Sequence, residues 1–300
     1  MMISRIPVHG RCSPPERLLC VVLLSVLPLA ALADRSGRLL ATGGAVSIEA
    51  TAGGGITPWA VLAGYGTDEQ VGCAAALTGV HTDDYTLQSA GGACTWGNRI
   101  ELSIGRQELD LDGLRPVLGL PDNQMLRQRY AGLKVRLAGD IVYSDWGQLS
   151  AGVLYRQSED KALVRAAGAT DTTGIDGYLS AGKLFLDGPL SRMAYVNATL
   201  RFTRANQGGL LGFGGDREDS YRANIELAAA LFARRDLAIG IEYRRKPDNL
   251  GFAAEDDWKD IFVAWFPSKH ISVTGAWAFL GSIGTLPDQN GPYISIAGSF

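Results

Sequence analysis

Charged side chains at alternate positions of otherwise apolar segments are the residues of this chain best placed to do chemistry. Lys134, Arg136, Arg156, Arg201, Arg222 and Arg244, with Glu101, Glu226 and Glu242, all fall on the polar parity of such segments. The basic members outnumber the acidic ones six to three, although the chain as a whole carries a formal charge of −3. In an open pore such a lining sets a local potential that favours small anions. In a closed wall the same charges pair and brace the structure, Glu226 with Arg244 for example. Both readings are open on the sequence alone.

Other chemistry is sparse. After residue 33 there are two histidines, His81 and His270. His81 stands beside Asp83 and Asp84 in a turn, where aspartate is common for local hydrogen bonding. His270 has neither a serine nor an acid placed to form a triad. No enzyme activity is expected, because no site supports one. No spaced set of ligands suggests a metal, no cofactor is implied, and no basic tract suggests nucleic acid. Cys73 and Cys94 flank a hairpin centred near Asp83 and Asp84, which sets them opposite one another. They read either as a cross-strand disulfide or as two small apolar strand residues. A glycine-rich stretch from 205 to 220 carries Leu210, Leu211 and Phe213, which an exposed loop seldom holds together. It is expected to fold inward and constrict a barrel, or else to contact lipopolysaccharide or a neighbouring barrel. It lacks the Gly-Lys-Ser/Thr ending of a phosphate loop. Two acidic clusters, at 216–219 and 255–257, read as solvated loops. Divalent cations bridging lipopolysaccharide are the alternative.

The elements that hold these residues are strands. Ala194, Val196, Ala198, Leu200 and Phe202 stand opposite Asn197, Thr199, Arg201 and Thr203. A period of two across a pleat gives one apolar and one polar face. Similar stripes recur from residue 43 onward, and about fourteen segments can be counted. The number is twelve if the two weak ones, at 43–52 and 59–65, do not span. Glu101 to Arg244 thus sit on strands of an all-β, antiparallel, up-and-down transmembrane barrel. Connections alternate between short and long, as in outer-membrane barrels with short periplasmic turns. Aromatics collect at both strand ends. Trp96, Trp146, Phe232, Phe266 and Phe300 lie next to short turns. Tyr85, Tyr130, Tyr155, Tyr178, Phe202, Tyr221, Tyr243, Trp258, Phe279 and Tyr293 lie at the other ends. Two such belts are expected at the two membrane interfaces. The final strand alternates Ile294 and Ile296 with serine and alanine and ends on Phe300, an expected assembly signal for barrel-insertion machinery.

Residues 1–33 read as a cleaved signal peptide, with Arg5, Arg11 and Arg17 before a short apolar run and Ala31-Leu-Ala33 at its end. The exported domain is then 34–300, with 25 basic and 30 acidic side chains and a formal charge of −5. Its expected place is the bacterial outer membrane, among lipid and lipopolysaccharide. The sequence does not determine the oligomeric state.

Five stretches carry a resemblance to a known family: Gly37–Gly44 (GRLLATGG), Gly55–Ala60 (GITPWA), Leu210–Asp216 (LLGFGGD), Lys246–Leu250 (KPDNL) and Trp265–His270 (WFPSKH). They resemble a proteobacterial family of outer-membrane proteins catalogued only as a domain of unknown function. The resemblance implies the barrel and its location and supplies no catalytic residue. The expected function is a porin-like passive channel for small solutes with a weak anion preference. The alternative is a non-transporting structural or surface-interaction barrel with a filled lumen. An outer-membrane enzyme is the distant third.

Overall fold

The computed structural model describes residues 37–122 and 124–300. The signal peptide expected at 1–33 lies outside the described residues. Twelve antiparallel strands close on themselves. They are β1 (Val71–His81), β2 (Thr86–Trp96), β3 (Ile100–Asp110), β4 (Met125–Gly139), β5 (Gln148–Ser158), β6 (Thr173–Phe185), β7 (Ala194–Thr203), β8 (Arg222–Arg234), β9 (Leu237–Arg244), β10 (Trp258–Trp265), β11 (Ile271–Ile283) and β12 (Leu286–Ser299). Each pairs with its sequence neighbours, and β12 closes on β1 with Ala74 opposite Ser299 and Val80 opposite Tyr293. The Cys73 and Phe300 backbones exchange two further hydrogen bonds at the seam. Closure leaves no unpaired edge, so the strand backbone is satisfied without water.

Strand parity decides what each face meets. Ile104, Val153, Ile175, Val196, Ile241, Ile261, Ile294 and Ile296 are exposed on the outer surface. Charged and amide side chains of the opposite parity are buried inside. A belt of exposed aliphatic residues outside and a polar interior are the pattern of a barrel whose outer solvent is lipid. The protein is an outer-membrane β-barrel.

The count is twelve because the two weak segments do not span. Residues 43–52 and 59–65 belong instead to an irregular segment, 37–65, that lies inside the barrel. Its glycines explain why. Gly64 adopts φ +76°, and a side chain at Gly54 would place its Cβ 2.0 Å from Glu242 Oε1. Two isolated bridges, Val46–Ala52 and Gly53–Pro58, are its only internal sheet pairings among the described residues. Residues 66–70, a turn by sequence, carry this segment into β1.

The aromatic belts are thinner than alternation of sequence suggests. Trp96, Trp146, Tyr155, Phe202, Tyr221 and Phe279 are exposed outward. Tyr85, Tyr130, Tyr178, Phe232, Trp258, Phe266 and Tyr293 are buried, because their parity turns them toward the lumen or the loops above it. The connections β2–β3, β4–β5, β6–β7, β8–β9 and β10–β11 lie at one end. The longer 111–124, 159–172, 204–221 and 245–257 lie at the other, with short helices α1 (Arg115–Leu118) and α2 (Lys161–Ala166). The links β1–β2 and β11–β12 are short as well, since β11 and β12 run on to Ile283 and Leu286 past a bulge at Gly281.

A charge on the outer belt tests the membrane face. Ile241→Arg is expected to lower unfolding stability by about 2–4 kcal/mol, as for arginine near a bilayer midplane. Urea titration of the heat-modifiable band in detergent gels measures it. An unchanged midpoint would place Ile241 away from lipid.

Candidate functional site

A barrel of about 8 strands is filled by its own side chains, and one of 16 leaves an aqueous channel. Twelve strands leave a space that side chains of the wall do not fill. Residues 37–65 occupy it. An irregular chain in such a space exposes peptide groups that no ladder pairs, and each must find a partner. Here the wall's polar parity supplies them.

Lys134 Nζ donates to the carbonyls of Ala52, Trp59 and Val61 at 2.9, 3.2 and 2.8 Å and lies 3.3 Å from Glu101. Glu101 accepts from Thr51 Oγ1 at 2.5 Å and from the Ala63 amide at 2.8 Å. Glu242 accepts from the Ile56 amide at 2.9 Å, from Trp59 Nε1 at 3.0 Å and from Thr57 Oγ1. The Ala60 amide donates to Asn197 at 2.9 Å, and Ser150 donates to the Ala60 carbonyl at 2.6 Å. The Ile48 carbonyl accepts from Ser89 at 2.9 Å and Tyr130 at 2.8 Å. Apolar contacts fill the gaps. Trp59 packs against Tyr195 with ring centroids 4.6 Å apart and planes tilted by 41°, and Val46, Ala52 and Val61 join one buried cluster with Phe232, Phe262 and Phe266.

The centre of the site is Glu49. Its carboxylate meets Arg156 and Arg244 through Oε1, the latter at 2.7 Å, and Arg201 through Oε2 at 2.8 Å. Two wall carboxylates complete the ring. Asp176 lies 3.1 Å from Arg156 and 3.4 Å from Arg201. Glu226 lies 2.5 Å from Arg201 and 3.3 Å from Arg244. All six side chains are buried. Tyr178 and Trp258 present ring faces 5.5 Å from Arg201 and Arg244. Burial by itself would raise the Glu49 carboxyl. The three arginines outweigh it and hold it well below the ordinary glutamate range.

A second insert packs into the long-loop end. In 204–221, Leu210, Leu211 and Phe213 are buried, and Phe213 bridges to Asp171 and Ala205. Arg156 donates from one nitrogen to the Gly208 carbonyl and from the other to Glu49, so one guanidinium joins this lid to the plug. Gln207 holds the Lys246 ammonium at 3.0 Å and donates to Ser282 at 3.0 Å. Lys246 pairs with Glu255 at 3.2 Å. Burial pushes the Glu255 carboxyl up and the Lys246 ammonium down, and their mutual attraction opposes both shifts.

Of the nine charges read from sequence, Glu101, Lys134, Arg156, Arg201, Glu226, Glu242 and Arg244 converge on the plug or its ring. Arg136 instead sits at the short-turn rim, 3.2 Å from Asp68, and Arg222 lies at the outer rim against Glu218. Asp176 and Asp260 also face the lumen and are absent from the sequence reading. With them the buried strand charges are four basic against five acidic. Glu49 was missed altogether. The available signal was a lone carboxylate in a Gly/Ala-rich stretch beside an excess of strand arginines. Cys73 and Cys94 face each other across β1 and β2 and are joined by a disulfide. His81 is hydrogen-bonded to Thr86 at 3.0 Å and His270 to the Ser299 carbonyl at 3.1 Å.

A carboxyl whose value is depressed on docking contributes stability that is present above its free value, near 4.5, and lost as pH falls through the docked value. Amides 45–60 are therefore expected to be protected from hydrogen exchange at pH 7 and to lose protection progressively below pH 4.5. Equal protection at pH 3 would contradict the Glu49 anchor.

No curated protein matches the chain. Among solved structures the "KdgM porin" is 9% identical with a TM-score of 0.48, the match covering 76% of this chain and 99% of that one. Outer membrane protein Omp33 of Acinetobacter baumannii is 7% identical with a TM-score of 0.46, covering 78% and 100%. Outer membrane phospholipase A from Escherichia coli is 9% identical with a TM-score of 0.37, covering 76% and 91%. These likenesses concern strand layout and carry nothing about activity. Residues 42–297, plug and barrel together, match the model of the family described as "Protein of unknown function (DUF3034)", and the chain belongs to that family.

Proposed function

We propose that this barrel is a gated diffusion channel for small solutes, held closed by its own residues 37–65, with a weak preference for anions and no catalytic role. The carrying observation is the way the plug is attached. It shares no strand with the wall, and side-chain hydrogen bonds and ion pairs hold it, which can break and re-form without unravelling the barrel. A cavity of about 40 Å³ remains beside Trp59, Phe232 and Phe262. Arg156 ties the lid to Glu49, so release of the plug also weakens the lid. The anion preference rests on the arginine ring alone, because the buried strand charges overall are close to balanced.

The second reading is a permanently filled structural barrel. The apolar packing of Val46, Val61 and Trp59 favours it. Energetics separate the two. Removing one partner of a buried charge cluster costs about 3–5 kcal/mol, or roughly two to four decades in the plug equilibrium.

In planar bilayers the wild-type chain is expected to be silent or to open rarely. Glu49→Ala combined with Lys134→Met is expected to conduct in discrete steps at the same voltage. Heat-modifiable migration confirms that the variant is folded. A folded variant that stays silent would reject the channel and leave the structural barrel.

A further inference from the structure

The ring around Glu49 is the part of the lumen where positive charge is in excess without the plug. Arg156, Arg201 and Arg244 carry three positive charges. Asp176 and Glu226, the wall carboxylates paired with them, carry two negative charges. Glu49 supplies the third. When residues 37–65 leave, this ring keeps a local net charge of +1, although the buried strand charges as a whole are four basic against five acidic. Both oxygens of Glu49 are engaged, Oε1 by two arginines and Oε2 by one. Each guanidinium reaches the carboxylate through one Nη2, so the two oxygens are shared among three charged donors. The ring faces of Tyr178 and Trp258 lie against Arg201 and Arg244, and the Glu226 contacts hold both arginines from behind. The site is built from side chains of β5 to β10, and from the plug the Ile56 carbonyl also accepts from Arg244 at 3.1 Å.

Resting on the gated-channel reading, we infer that the Arg156–Arg201–Arg244 ring is a binding site for the carboxylate of a small monoanionic solute, and that Glu49 occupies it as a built-in competitor. A solute carboxylate that takes the ring removes the strongest anchor of the plug, so the transported class also favours opening. A monocarboxylate restores neutrality. A dianionic phosphate would leave the ring at −1 in a poorly solvated space, which disfavours it. Chloride offers one centre where the arginines are arranged for two oxygens.

Propionate, the side chain of glutamate as a free ion, is the probe. It is compared with chloride at equal ionic strength and pH 7 in planar bilayers. For the wild-type chain, propionate at ten times its dissociation constant is expected to raise the open probability about tenfold, by binding only the open state. In Glu49→Gln, which opens without the competitor, propionate is expected to lower the chloride current by about half at its dissociation constant. Adding Arg244→Gln to Glu49→Gln is expected to abolish that block. If Glu49→Gln conducts and propionate neither blocks it nor opens the wild type, the carboxylate site is refuted while the gated channel stands. If Glu49→Gln and the Glu49→Ala, Lys134→Met double variant both fold and stay silent, the gated channel itself is refuted and the site with it. Equal block by propionate with Arg244→Gln present would place the binding elsewhere.

Discussion

The structure depends on one constraint: an irregular backbone inside a barrel must have every buried peptide group paired. Residues 37–65 form neither helix nor ladder, yet their carbonyls and amides end on Lys134, Glu101, Glu242, Asn197, Ser150 and Tyr130 of the wall. A lysine with three carbonyls, or a glutamate with two or three donors, is a geometry that few other segments of chain could satisfy. The polar parity of the strands therefore acts as a receptor for one particular stretch of its own chain. Twelve strands set the width that makes such a filler necessary, and closure of β12 on β1 keeps that width fixed.

Two inserts meet in this lumen from opposite ends. The plug enters beside β1, and the lid folds in from 204–221. Arg156 touches both, which makes the Glu49 ring the junction of the two closures. Its neutrality is reached only with Glu49 in place, so the excess positive charge of the wall is also a point where the plug is held. Apolar contacts around Trp59 add packing without direction. The ionic ring and the peptide-group partners supply register.

Much of this was legible in the sequence, and the remainder has physical causes. Strand parity depends only on a period of two, so Arg201 opposite Leu200, or Arg244 beside Tyr243, could be assigned inward from local pattern. Asp176 and Asp260 were not, because aromatics occupy both parities of β6 and β10, and glycines both parities of β6, which leaves their phase undefined. Residues 43–65 resemble weak strands because Ala, Val and Ile alternate with Gly, Ser and Thr there. What separates a plug from a strand is whether the backbone finds a neighbour to pair with, and that is a long-range fact. The same holds for the aromatic belts. Clustering at strand ends was visible, but whether Phe266 or Trp258 meets lipid or lumen depends on parity at a strand terminus, where the alternation slips. Leu210, Leu211 and Phe213 stood out because three large apolar residues in a glycine-rich loop need a place to pack. Their partners lie in distant loops.

The most direct test is whether residues 37–65 sit in the lumen of the protein in its membrane. A Cβ at Gly182 would lie 3.3 Å from that of Ala60, slightly closer than the roughly 3.5–4.5 Å a disulfide spans, with the Tyr195 hydroxyl at 2.8 Å and Asn197 Oδ1 at 2.9 Å having to give way. The pair Ala60→Cys and Gly182→Cys, expressed in cells and trapped with an alkylating agent before lysis, reports on that distance. The structure predicts near-complete intrachain linkage of the two positions, read by mass spectrometry of the joined peptides. Recovery of both cysteines alkylated and unlinked in a folded barrel would contradict a plugged lumen.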